Sequence, residues 1–326
     1  MRATVFSDKE VVTVIDRDVP KIGPDEVLVK SKAVGICHSD IELLEGRYIL
    51  PFSYPITPGH EWAGEVAEVG RDVTNFKAGD RVVGECVVGP GGRDHFGFTI
   101  SGAMAQYFVA KGEWLHEIPA SMSWTLGALV EPFSVAYNST RTGQVDPSDR
   151  VAVLGAGPIG LMTALAAKGC GAMVVLFEPQ AQRRAKAHEI GIEHALDPGS
   201  PADMKQAKAL TGGQMFDVVI ESAGRPEAMA TSLELAGHSA RVVFVGIDVG
   251  GSADTMLGLI QAKSLKVQGI IGSLNIWPQT IRFLGSGVVD PTPIVSNRLG
   301  LEDSEEAFGL ARRGGATTKV HVGVDS

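Results

Sequence analysis

Residues 151–178, VAVLGAGPIGLMTALAAKGCGAMVVLFE, decide the fold. An apolar run, Val151 to Leu154, stops at Gly155-Ala156-Gly157-Pro158-Ile159-Gly160. An Ala/Leu-rich segment of helical length follows, then a second apolar run, Met173 to Phe177, ending in Glu178. Strand, glycine turn, helix, strand and acid is the order of a dinucleotide-binding unit. Gly155 permits the tight turn, Gly157 lets backbone approach a pyrophosphate, and Gly160 lets helix and strand pack closely. Pro158 suits a first helical turn, where its missing N–H costs nothing, and the helix N-terminus favours an anion. A nicotinamide dinucleotide on Gly155, Gly157, Pro158, Ile159 and Gly160 is therefore expected. Glu178 stands where an acid accepts hydrogen bonds from both ribose hydroxyls and repels a 2′-phosphate. NAD is expected over NADP, although Arg183, counted among the cofactor contacts, and Arg184 speak for a phosphate.

Outward from this stretch, strands alternate with helices. Phe216–Ile220, Val242–Val245 and the weaker Leu265–Gln268 read as strands, and 180–190, 201–210, 226–236 and 254–262 as helices. This pattern predicts a doubly wound parallel sheet covered on both faces. Residues 1–125 are β-rich, with strands expected at Val11–Ile15, Val27–Val34, Glu65–Val69 and Arg81–Val83 between turn signals such as Gly23-Pro24 and Pro58-Gly59. The tail, 273–326, has helices expected at 277–286 and 302–313 and no second nucleotide unit. The class is α/β, with a dinucleotide-binding domain at 126–272 inserted into a domain made of 1–125 and 273–326.

Composition narrows the function. A formal charge of −9 gives no basic face for nucleic acid. No stretch has the apolar length of a membrane span, and MRATVFSDKE lacks the apolar core of a signal peptide. Cys37, Cys86 and Cys170 are the only cysteines, too few for a disulfide framework, so a reducing cytoplasm is expected.

The β-rich part holds Gly35-Ile36-Cys37-His38-Ser39-Asp40 and, further on, Gly59-His60-Glu61. Thiolate, imidazole and carboxylate together suit zinc. Cys37 and Glu61 supply two negative charges, so Zn²⁺ on Cys37, His60 and Glu61 is formally neutral, as a Lewis acid that polarises an alcohol needs. The spacing alone equally fits Cys37 as a buried apolar residue and His60-Glu61 as a turn.

Gly-Ile-Cys-His-Ser-Asp, Pro-Gly-His-Glu-Trp-Ala-Gly-Glu-Val, Ala-Gly-Asp-Arg-Val-Val, Glu131-Pro132 and Gly-Ala-Gly-Pro-Ile-Gly occur in that order over nearly the whole chain. The set resembles the zinc-dependent medium-chain dehydrogenases, most of all their sorbitol (polyol) and threonine branches. The resemblance implies a GroES-like catalytic domain beside the Rossmann domain. It makes Cys37, His60 and Glu61 the catalytic zinc ligands, with Glu131 binding zinc directly or through water. A fourth anionic ligand would make the site net negative, so Glu131 is expected as a water-mediated or exchanging ligand. Ser39 matches the hydroxyl that passes the substrate proton outward, and Asp40 an acid that orients His60. Glu42 stands where relatives end the relay in a histidine, and serves as the terminal base or as a solvated helix residue. His38 follows the zinc cysteine and is a candidate for facing the cofactor phosphates.

The family's four-cysteine structural zinc lobe is missing: between Arg81 and Gly102 only Cys86 is a cysteine. Asp94 and His95 near it read as loop residues, and one zinc per chain is expected. The implied reaction is oxidation of a secondary alcohol by NAD, on a polyol, cyclitol or sugar, with Tyr48, Arg298 and Glu131 as candidates for binding further hydroxyls. A homodimer or homotetramer is expected. The rivals are a threonine-type β-hydroxy amino acid dehydrogenase, and a zinc-free quinone reductase or non-catalytic nucleotide-binding protein.

Overall fold

The alternating middle of the chain builds a six-stranded, all-parallel sheet in a computed structural model that describes residues 1–273 and 275–324. Across this sheet the strands run His194–Leu196, Met173–Phe177, Arg150–Leu154, Phe216–Glu221, Ala236–Phe244 and Lys266–Gly269. In chain order that is 3-2-1-4-5-6, the doubly wound arrangement of dinucleotide-binding folds. Val151, Val153, Val175, Leu176, Val218 and Val219 are buried, as a sheet covered on both faces requires. The helix Pro158–Gly169 follows the first strand at once. A Cβ on Gly160 would stand 1.9 Å from the Gly155 carbonyl oxygen, so the close approach at this turn excludes any larger residue.

The rest of the chain forms a β-rich sheet. Its strands run Val295–Gly300, Lys319–Gly323, Glu26–Gly35, Glu61–Val69, Arg81–Gly84 and Leu115–Glu117, with Tyr107–Lys111 also pairing Glu26–Gly35. Phe6, Trp62, Phe96, Phe108 and Phe308 fill its core, and Trp62 meets Phe108 edge-to-face at 4.7 Å. By contacts the chain divides into Met1–Glu131, Trp277–Gly285 and the segment from Val295 onward as one unit, with Pro132–Ile276 and Ser286–Ile294 as the other. The first division falls inside the helix Val130–Thr142, beyond the expected limit at 125. A boundary within one continuous helix leaves no change of composition to read.

Some elements differ from expectation. The helix expected over 254–262 is only Leu259–Ala262. Met256 and Leu257 before it are 61% and 62% exposed, so they offer no buried face to hold a longer helix. The strands Arg2–Asp8, Tyr107–Lys111 and Leu115–Glu117 and the helix Val130–Thr142 were not anticipated. The glycine-rich segment after Cys86 is a hairpin of two-residue strands, Val87–Val88 and Asp94–His95.

Candidate metal centre and nucleotide turn

The strand Glu26–Gly35 delivers Cys37 to the metal group. The strand ends, Ile36 follows, and Cys37 becomes the N-cap of the helix His38–Leu44. Asp40, in the first turn, accepts the Cys37 backbone N–H at 2.8 Å and pins the cap. The neighbouring strand starts at Glu61, opposite Gly35, and thereby brings His60 and Glu61 alongside. One ligand atom from each of Cys37, His60 and Glu61 lies within 4.8 Å of the others. Among the described residues this is the one group of three such side chains close enough to hold a metal, and Cys86, Asp94 and His95 do not form another.

The surroundings fit a divalent ion. His60 and Glu61 are buried, and Glu61 Oε2 has no aligned hydrogen bond. His60 Nδ1 lies 3.4 Å from Asp40 Oδ1, and neither atom has another hydrogen-bond partner. Asp40 therefore faces one ring nitrogen and turns the other towards the ligand group. Burial opposes a charged His60 ring, yet Asp40, Cys86 and Cys37 together raise its pKa well above the ordinary value in the metal-free protein.

Glu131, in the first turn of its helix, joins the same electrostatic cluster. Burial of its carboxyl, reinforced by Glu61 and opposed by His60 and Lys319, pushes its pKa up to about 7. It can thus exchange between neutral and ionised forms near neutrality. The Cys86 thiol is pushed up to about 12 by burial, with Glu131 and Cys37 adding to the rise and His60 opposing it. Cys86 is therefore a protonated thiol near the ligands. Tyr48 stacks on Phe98 at 4.5 Å, and Phe98 lies 4.7 Å from the His60 ring, which puts Tyr48 beside the metal group. Arg298 faces His321 across paired strands.

Ser39 is half-buried in the first turn of the helix, inside it and not at its cap. Glu42 sits one turn on, 3.3 Å from Arg47 and 3.9 Å from His38, whose side chain is 77% exposed. Lys319 was missed: its Nζ lies 2.5 Å from Glu61 Oε1 with both residues buried. The only signal was a basic pair, Lys319 and His321, alternating with valines in a short strand.

In the other unit, Gly155 adopts φ +97°, which a residue with a side chain rarely tolerates. A Cβ on Gly157 would meet nothing within 4 Å, so this face of the turn is open to a ligand. Gly157 caps the helix without a side-chain bond, leaving its first N–H groups for an anion. Glu178 is buried; Oε2 accepts the Ala156 N–H at 2.9 Å and Oε1 the Gln180 N–H at 3.0 Å. Arg184 is committed to the carbonyls of Glu178 and Pro179, at 2.7 and 2.8 Å. Arg183 Nη1 lies 4.0 Å from Glu178 Oε2.

A metal group of this kind on a β-rich sheet, with a glycine turn on a parallel one, defines a zinc-type nicotinamide-linked dehydrogenase. Comparison with known proteins agrees. The alcohol dehydrogenase GroES-like domain matches residues 23–120, and the zinc-binding dehydrogenase domain residues 158–286. The chain is 32% identical to sorbitol dehydrogenase of Bacillus subtilis (strain 168), over 95% of this chain and 93% of that one. It is also 32% identical to L-threonine 3-dehydrogenase of Bacillus licheniformis, over 91% of each. The crystal structure of 2R,3R-butanediol dehydrogenase from Bacillus subtilis superposes with a TM-score of 0.90 at 29% identity, covering 99% of each chain. The chain belongs to the zinc-binding alcohol dehydrogenase family and is an NAD(P)-dependent alcohol dehydrogenase. Among the described residues no helix is long and apolar enough to cross a membrane.

Proposed function

We propose that this enzyme oxidises a secondary hydroxyl of a polyol, cyclitol or sugar with NAD, using one zinc per chain. The observation that carries the reading is the convergence of Cys37, His60 and Glu61 within 4.8 Å. Zinc on these residues would supply a Lewis acid that lowers the pKa of an alcohol. Asp40 orients His60, and Glu131 enters as a direct or water-mediated ligand. Ser39 takes the proton of the substrate hydroxyl as it passes its own on, and Glu42 receives that proton towards solvent. Tyr48 supports a hydroxylated substrate, because a phenol beside the metal group both donates and accepts hydrogen bonds. The enzyme works in the cytoplasm, which its free cysteines support. It assembles as a homodimer or homotetramer, which the exposed edge strand Lys266–Gly269 supports.

Elemental analysis is expected to find about one zinc per chain. A panel of polyols, cyclitols and β-hydroxy amino acids, read as NADH formation, is expected to give its highest kcat/KM with a polyol or cyclitol. Threonine as the best substrate would move the reading to the amino acid branch, and turnover without zinc would end it.

Glu178 supports NAD, since its carboxylate holds the nucleotide turn and keeps lone pairs for ribose hydroxyls. Glu178→Ala is expected to weaken NAD binding by about 1–2 kcal/mol and to relax exclusion of NADP. It also strands the Ala156 and Gln180 N–H groups, so the variant melts at a lower temperature. Dissociation constants for both nucleotides check this; a wild type that already prefers NADP would shift the assignment to Arg183.

A further inference from the structure

Lys319 opens the strand Lys319–Gly323, which runs antiparallel to Glu26–Gly35 with His321 facing Gly35. The Ile36 N–H donates to the Val320 carbonyl at 2.9 Å, and this carries the register on towards Cys37. Glu61 faces Gly35 from the opposite side. A Cβ on Gly35 would stand 2.3 Å from Glu61 Oε2, so only glycine lets the carboxylate lie there. Through that gap the acid reaches Lys319. Nζ hydrogen-bonds Oε1 at 2.5 Å and lies 2.5 Å from Oε2, with the residues 4% and 1% exposed.

A buried ammonium is tolerated only against anions; the carboxylate that Lys319 hydrogen-bonds is one the metal also needs, and Cys37 and Glu131 add to the attraction. His321, two residues along the same strand, adds none: both its ring nitrogens lack hydrogen bonds, and burial, with Lys319 and Arg298, holds it neutral. A divalent ion held by Glu61 would therefore share that carboxylate with a buried cation. Zinc with the Cys37 thiolate and the Glu61 carboxylate sums to zero, and Lys319 adds one positive charge.

The geometry points to Lys319 as a resident counter-cation of the metal site, one that steadies the metal-free protein and competes with the metal for Glu61. The inference rests on the zinc reading above. It makes Lys319 a positioning residue: it acts on the ion through Glu61 and touches no reacting atom.

Wild type, Lys319→Met and Lys319→Arg are stripped of metal and titrated with Zn²⁺ against a chromophoric chelator at pH 8, and Co²⁺ spectra are recorded. Lys319→Met is expected to bind zinc about tenfold tighter or more, because a nearby positive charge has gone. Its metal-free form melts lower than wild type and gains more from added zinc. Its cobalt bands shift because the Glu61 carboxylate no longer hydrogen-bonds Lys319. Lys319→Arg keeps the charge and restores wild-type affinity and bands. Release of zinc from loaded protein needs no metal-free fold, and in Lys319→Met it is expected to slow about tenfold or more. Equal or weaker zinc affinity in Lys319→Met, or release as fast as wild type, overturns the inference. A wild type that binds no zinc instead sinks the metal reading, a separate result.

Discussion

Cys37→Ala is expected to purify with far less than one zinc per chain and to lose turnover by about 10³-fold or more, with its fold kept. The Lewis acid supplies several kcal/mol of charge stabilisation during alcohol oxidation, and each 1.4 kcal/mol is about tenfold in rate. Cys37 is one of three converging side chains, and a thiolate binds zinc far better than a carboxylate or water in its place. The fold survives because the bond that pins this corner is made by backbone: Asp40 Oδ2 accepts the Cys37 N–H, which alanine retains. Metal analysis, initial rates and a thermal melt on one preparation check the result. Full zinc content with near-normal turnover would mean that the metal sits elsewhere.

The convergence of these three side chains was legible in the sequence to a definite depth. Thiolate, imidazole and carboxylate have ligand chemistry that shows in the residue names, so Cys37, His60 and Glu61 could be read before any contact was known. The glycine turn was legible for a related reason: each glycine at 155, 157 and 160 has its own geometric task. Lys319 was not legible, because its meaning lies in a partner 258 residues away and in the register of three strands. Gly35 was opaque too, since only the pairing with Glu61 shows why a side chain there is forbidden. The helix expected over 254–262 failed for want of a buried face, which local sequence does not report. Glu42 remains a carboxylate whose neighbours, Arg47 and His38, are now known.

Ser39→Ala separates a chemical role from a structural one. The rival role, a hydroxyl capping the helix, would cost about 1 kcal/mol on removal. The structure takes that role away: the helix runs His38–Leu44 and its N-cap is Cys37, so Ser39 lies inside the first turn. There alanine is the better helix former by up to about 0.5 kcal/mol, and the variant is expected to melt at or slightly above the wild-type temperature. Zinc content and NAD affinity should be unchanged, since Ser39 belongs to neither the ligand group nor the glycine turn. The rate is where the loss falls. Without a hydroxyl to accept the substrate proton, oxidation is expected to slow by about 10²–10⁴-fold, the usual size of a lost acid–base element. Ser39→Thr keeps the hydroxyl, adds one methyl at a half-buried position, and should recover much of the activity. A Ser39→Ala enzyme that turns over at nearly the wild-type rate would remove Ser39 from the proton path and leave that step to Tyr48 or to water.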